Sequence, residues 1–194
     1  MESLKKTIFP FGATAVILCL LLLATACNNK KRQLTKLVEE WQGKEILFPS
    51  NPELKLYGRD TVCPELFSRE YKILNFIDTN GCTECRLKLF DWQMLKEEID
   101  SLNLDVSLVF VAWVKNYKQL EDIQKLNRFN TPLLYDRTGQ ADSLNHFPIV
   151  PGFQTFLLDK NNRVLLIGSP LGNETLWNLY KKTIRSGKQA ETKP

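Results

Sequence analysis

A chain of 194 residues, 43% hydrophobic and 25% charged, has ordinary globular composition, with room for one domain plus appendages. Its formal charge of +4 is small and lies largely near the ends, in Lys30-Lys31-Arg32 and in Lys181, Lys182, Arg185, Lys188 and Lys193. No basic stripe with interleaved aromatics, internal repeat or low-complexity segment is present, which excludes nucleic acid as a partner.

The first elements concern export. Lys5 and Lys6 precede an apolar run from Ala13 to Leu23, and Ala24-Thr25-Ala26 puts small residues directly before Cys27. That is the layout of a secretory signal over residues 1–26. The junction resembles the lipobox of bacterial lipoproteins, although Ala24 stands where a Leu is usual. The resemblance implies lipid attachment at Cys27, membrane anchoring through that lipid, and an extracytoplasmic, periplasm-facing domain in a bacterial envelope. The competing reading is an uncleaved anchor, since Ile8 to Ala26 is 19 residues and a span needs roughly 20. Pro10 and Gly12 weigh against it. Cleavage would leave a mature charge of +3 and three cysteines in the folded part: Cys63, Cys82 and Cys85.

A polar tether and short helix occupy residues 27–44, with Leu34, Leu37, Val38 and Trp41 on one helical face and Gly43 as its stop. Ile46-Leu47-Phe48 and Leu54 to Tyr57 read as two short strands around Pro49-Ser50-Asn51-Pro52. Tyr71 to Ile77 has the β-branched and aromatic content of a buried strand. Asp78-Thr79-Asn80-Gly81 is turn chemistry. Cys82-Thr83-Glu84-Cys85 follows, and then apolar residues recur at Leu87, Phe90, Met94 and Leu95, with a second row at Leu89, Trp92 and Ile99. This predicts a helix with a wide buried face and the cysteines on its first turn. Asp105 to Trp113 suits a central parallel strand beside Tyr71–Ile77. Tyr117 to Asn127 is a second helix, and Leu133-Leu134-Tyr135 a third strand, closed by Asp136-Arg137-Thr138-Gly139. A loop with Pro148 and Pro151 leads to Thr155–Asp159 and Arg163–Ile167, a hairpin across Lys160-Asn161-Asn162. Asn173 caps a last helix through Ile184, and residues 187–194 form a loose polar tail.

The strand–CxxC–helix unit, followed by β-α-β, a hairpin and a helix, resembles the thioredoxin-like superfamily over residues 45–186. It is most like the extracytoplasmic, membrane-tethered branch related to disulfide reductases and peroxiredoxins. The resemblance implies an α/β fold, a mixed β-sheet flanked by helices with an N-terminal strand and helix extension. It implies thiol–disulfide exchange with Cys82 as nucleophile and Cys85 as resolving thiol. Disulfide- or thiol-bearing envelope proteins would be substrates. A reductase would draw electrons from a membrane thiol relay or other redox partner, an oxidase would need an oxidant, and the sequence does not fix the direction. Unpaired N–H groups at a helix start favour a thiolate there. Arg86 adds to that effect and Glu84 opposes it.

One departure concerns the proline that this superfamily places opposite the cysteines, in the cis form, before the penultimate strand. With Thr155–Asp159 as that strand, the position falls at Phe153 or Gln154, the possible substrate loop, and trans bonds are predicted at both. The replacement supports an alternative of another class, a redox-inactive binding module. A thiol peroxidase is a further alternative: Thr79 and Cys82 match part of the peroxiredoxin motif, but Asn75 stands where that motif has proline. No metal and no other cofactor is expected. The soft ligands are only Cys63, Cys82, Cys85 and His146, and Arg86 stands where a haem-attachment motif needs His.

Overall fold

The structure, a computed structural model, describes residues 31–78 and 87–191. Tyr71–Ile77 is buried along almost its whole length, as a strand with neighbours on both sides and cover on both faces must be. It is β3, an interior strand next to the central β4 in a seven-stranded sheet of order β2-β1-β5-β4-β3-β6-β7. β4 (Val106–Ala112) runs parallel to β3, from Tyr71 opposite Val106 to Ile77 opposite Ala112. β5 (Leu133–Tyr135) is parallel to β4. On the other side β6 (Thr155–Leu158) is antiparallel to β3, and β7 (Val164–Ile167) is antiparallel to β6, forming the expected hairpin. The mixed sheet flanked by helices is therefore present.

Because β3, β4 and β5 step across the sheet in one direction, right-handed crossovers put both connecting helices on the same face. These are α3 (Leu89–Ser101) and α4 (Tyr117–Leu126). With α6 (Glu174–Glu191) they enclose a core in which Trp92, Leu95, Leu120, Trp177 and Tyr180 meet Ile73, Leu108 and Phe110. The Phe110 ring takes edge contacts from Trp92 and Phe129 at about 5 Å. The opposite face is closed by an aromatic cluster in which Phe147 stacks on both Trp41 and Phe76 and tilts against Phe156. Lys72 is the buried charge of that face, its ammonium donating to the carbonyls of Asp159 and Lys160 at 3.1 Å each.

Several local expectations are corrected. Residues 46–48 are not a strand: the Ile46 N–H donates to Asn162 and the Leu47 N–H to the Asn145 side chain, so no strand pairing is left to them. The N-terminal pair is instead β1 (Glu53–Leu56) and β2 (Arg59–Asp60), with β1 antiparallel to β5. Tyr57 and Gly58 join them with φ of 54° and 82°, the two left-handed residues of a type I′ turn. Two short helices were unexpected, α2 (Glu65–Ser68) and α5 (Gln140–Asn145). The second is nucleated by Asp136, whose carboxylate accepts from the N–H groups of Gln140 and Ala141.

The Asn173 cap is present, accepting from the Leu176 N–H at 3.1 Å, but the last helix continues to Glu191 beyond the expected limit at Ser186. Gly187 sits where α6 passes Tyr71 so closely that a Cβ would strike the phenol oxygen. Residues 31–41 form the helix expected there (α1), with Leu34 and Val38 exposed. No helix among the described residues is long and apolar enough to cross a membrane.

Candidate functional site

The C-terminal ends of β3 and β4 and the N-terminal end of β6 meet at one edge of the sheet. There the Trp113 N–H donates to the Ile77 carbonyl at 2.8 Å, and the Phe76 N–H donates to the Gln154 carbonyl at 2.9 Å. Two side-chain pairs reinforce the β3–β6 seam. The Thr155 hydroxyl donates to the Asn75 amide oxygen at 2.9 Å, and the Gln154 amide donates to the Asp78 carboxylate at 2.8 Å. Gln154 is 5% exposed, so Asp78, the residue after the strand, is held by a buried donor.

Before Gln154 the chain makes a 3₁₀ turn, Pro151–Phe153, in which the Phe153 N–H donates to Val150 and the Gln154 N–H to Pro151. The Ser169 N–H ties the turn to the end of β7 through the Gly152 carbonyl. No peptide bond among the described residues is cis, so the bonds before Phe153 and Gln154 are trans, as predicted. One N–H of the Gln154 amide, in the loop expected to meet substrate, is committed to Asp78. Phe153 is half-buried, and Ile149 and Val150 beside it are exposed.

On the other flank of the edge, Trp113 lies over the turn that follows β5. Gly139 there has φ of 71°, and a Cβ on it would come within 2.7 Å of the indole. Asn116 caps α4 at the same edge by accepting from the Gln119 N–H.

The helix after β3 also departs from expectation. Lys88 adopts a left-handed conformation, φ 43°, between helical Leu87 and the start of α3. In an unbroken helix Leu87 and Leu89 would lie about 200° apart. Both are only 2% exposed, which the break allows. Phe90 and Met94, read as part of the buried face, are exposed instead.

Cys82 and Cys85, with Thr79, Glu84, Arg86 and the lipidation candidate Cys27, lie outside the described residues. Cys63 is a free thiol at the opposite edge, in a cavity of about 310 Å³ beside Arg69, Lys96, Ser107 and Thr131, where β4 and β5 begin. Burial pushes its pKa up, with the neighbouring Glu65 carboxylate adding to the shift. His146 is exposed, is left-handed at the end of α5, and does not line that cavity. Among the described residues no cluster of three or more His, Cys, Asp or Glu is placed to hold a metal ion. Sequence reading missed Asp78 and Trp113 as parts of the edge. Their place directly after two apolar strands was the available signal.

No protein-family model and no curated protein matches the chain. Among solved structures it is similar to the thioredoxin domain of a thiol-disulfide oxidoreductase from Bacteroides vulgatus. That match has 16% identity and a TM-score of 0.54, covering 74% of this chain and 97% of that one. A cysteine-to-serine mutant of PrxQ from Xylella fastidiosa matches with 14% identity and a TM-score of 0.53, over 73% and 96% of the two chains. A thioredoxin-like protein solved in its oxidised form matches with 12% identity and a TM-score of 0.52, over 75% and 96%. The sheet order, the parallel core and the antiparallel hairpin thus make this chain thioredoxin-like in fold.

Proposed function

We propose that this protein is a thiol–disulfide oxidoreductase anchored in a bacterial cell envelope, with Cys82 as nucleophile and Cys85 as resolving thiol. The carrying observation is positional. The sequence places Cys82 four residues after Asp78, and Asp78 directly follows the buried parallel strand β3 at the edge braced by Gln154. The Cys82 thiolate would attack one sulfur of a substrate disulfide, releasing the other as a thiol. The Cys85 thiolate would then attack Cys82, freeing the second substrate thiol and leaving a Cys82–Cys85 disulfide. Each turnover moves two electrons and two protons to the substrate, and a dithiol in the membrane would return the pair to its reduced form. Acylated Cys27 would hold the domain at the membrane.

Titration against a glutathione buffer tests the couple. A two-electron transition that disappears in Cys82→Ser supports it, and a pair that never cycles overturns it. In membranes, mass spectrometry should find acylated Cys27 as the first residue. An intact Met1 would show an uncleaved anchor.

The non-proline Gln154, one of whose amide N–H groups donates to Asp78, favours one second reading, a binding module without turnover. Cys85→Ser separates the two. A catalyst accumulates mixed disulfides through Cys82, whereas a module keeps its partner with both cysteines replaced.

A further inference from the structure

Helix α3 carries more apolar surface than the core uses. Leu89, Trp92, Leu95 and Ile99 are buried, while Phe90 and Met94, one turn apart, are 60% and 50% exposed. Met94 belongs to the wall of a groove of about 870 Å³ between α3 and the beginning of α6. Leu95, Pro170, Leu171 and Trp177 supply the rest of its apolar lining.

The charged groups along this groove have one sign: Asp91, Glu97 and Glu98 from α3, and Glu174 from α6. Glu98 is already engaged, accepting from the Trp177 indole at 2.8 Å and from Lys181 at 3.2 Å. Among the described residues Glu97 accepts only from the neutral Gln93 amide. Asp91, Glu97 and Glu174 make no ion pair among the described residues. An apolar trough with three uncompensated carboxylates on its rim disfavours an anionic lipid surface and suits a ligand that is apolar on one side and cationic at its margins.

We infer that this groove docks a basic, amphipathic helical segment of a partner protein. Its apolar side chains would seat against Met94, Leu171 and Trp177, and its Lys or Arg residues would pair with Asp91, Glu97 and Glu174. The geometry is that of a helix laid in a groove, with residues one turn apart as anchors. Docking at this site is independent of whether the cysteines turn over.

The test uses the full chain carrying Cys82→Ser and Cys85→Ser, so that thiol chemistry contributes nothing. The probe is a fluorescein-labelled Leu/Lys amphipathic peptide about five turns long, with a Leu/Glu peptide of the same pattern as its opposite. Fluorescence anisotropy should show binding of the Leu/Lys peptide that weakens with added salt, and no binding of the Leu/Glu peptide. The triple variant Asp91→Asn, Glu97→Gln, Glu174→Gln should weaken binding by about tenfold or more. Met94→Asp should weaken it similarly. Both variants sit on exposed side chains, and circular dichroism should show an unchanged fold. Equal binding of the two peptides, or affinity unchanged in both variants, overturns the inference. So does self-association that Met94→Asp abolishes, which would make a second copy the occupant. Anionic-vesicle binding lost in Met94→Asp would likewise replace the partner with a membrane.

Discussion

The two edges of the parallel strands are built from similar residues to different ends. At the C-terminal edge each polar group is oriented by another: Gln154 holds Asp78, the Ile77 carbonyl takes the Trp113 N–H, and Asp136 caps α5. At the N-terminal edge Cys63 borders a cavity, its thiol kept protonated by burial and by Glu65. The lesson is that a cysteine's chemistry depends on where the chain delivers it. A partly buried thiol beside a carboxylate is a poor nucleophile, whereas strands that end together supply an organised border to whatever follows them.

The largest effect should separate the thiols. Cys82→Ser should abolish disulfide reduction, while Cys63→Ser should leave the rate within about twofold, as read from initial rates with a dithiol reductant. A comparable loss in both would erase the distinction between the edges.

Gly139→Ala comes next. The left-handed backbone costs about 1–2 kcal/mol for a residue with a Cβ, and the collision with Trp113 adds roughly 1–3 kcal/mol. The urea midpoint should fall accordingly. Gln154→Ala should cost about 1.5–3 kcal/mol, the usual range for a hydrogen bond to a charged group. An unchanged midpoint would mean that the Asp78 brace does not hold the edge.

Lys72 sharpens the comparison through pH. Burial lowers its pKa below the usual 10.5, opposed by Asp159 and Glu70. Between the lowered folded value and 10.5 the unfolded chain binds more protons, so stability attributable to Lys72 rises with pH in that window. Wild type should therefore gain on the non-titrating Lys72→Met as pH climbs toward 10.5, measured by denaturant melts. The smallest effect is expected at Cys63, where Glu65→Gln should modestly speed iodoacetamide labelling below the thiol's pKa, because one cause of its elevation is gone.

Much of the fold was legible because its core strands are dense apolar runs and its last helix carries a plain cap at Asn173. Val106–Ala112 and Tyr71–Ile77 admit no other placement than the middle of a sheet. What escaped notice depends on contacts distant in sequence. Residues 46–48 look like a strand until Asn145 and Asn162 claim their backbone groups. Tyr57-Gly58 hides a type I′ turn because Tyr rarely takes a left-handed conformation. The helix past Ser186 reads as a tail by polarity, although Lys, Gln and Ala are good helix formers. At the site, the position of Gln154 in the loop could be derived by aligning Thr155–Asp159. Its bond to Asp78 could not, since it joins residues 76 apart in sequence.

The borders of the sheet also bear on how these domains behave when crowded together, as proteins confined to a surface are. One border is β2, two residues long and made of Arg59 and Asp60, both exposed. Along the other, the segment after α1 takes the main-chain groups of Val164, with Gly43 donating to it and Lys44 accepting from it. A neighbouring copy thus meets opposite charges over a very short edge on one side and a partly occupied strand on the other. Neither offers the long, bare row of amides on which strands from separate molecules accumulate. Dense packing of such domains can proceed without intermolecular sheet growth.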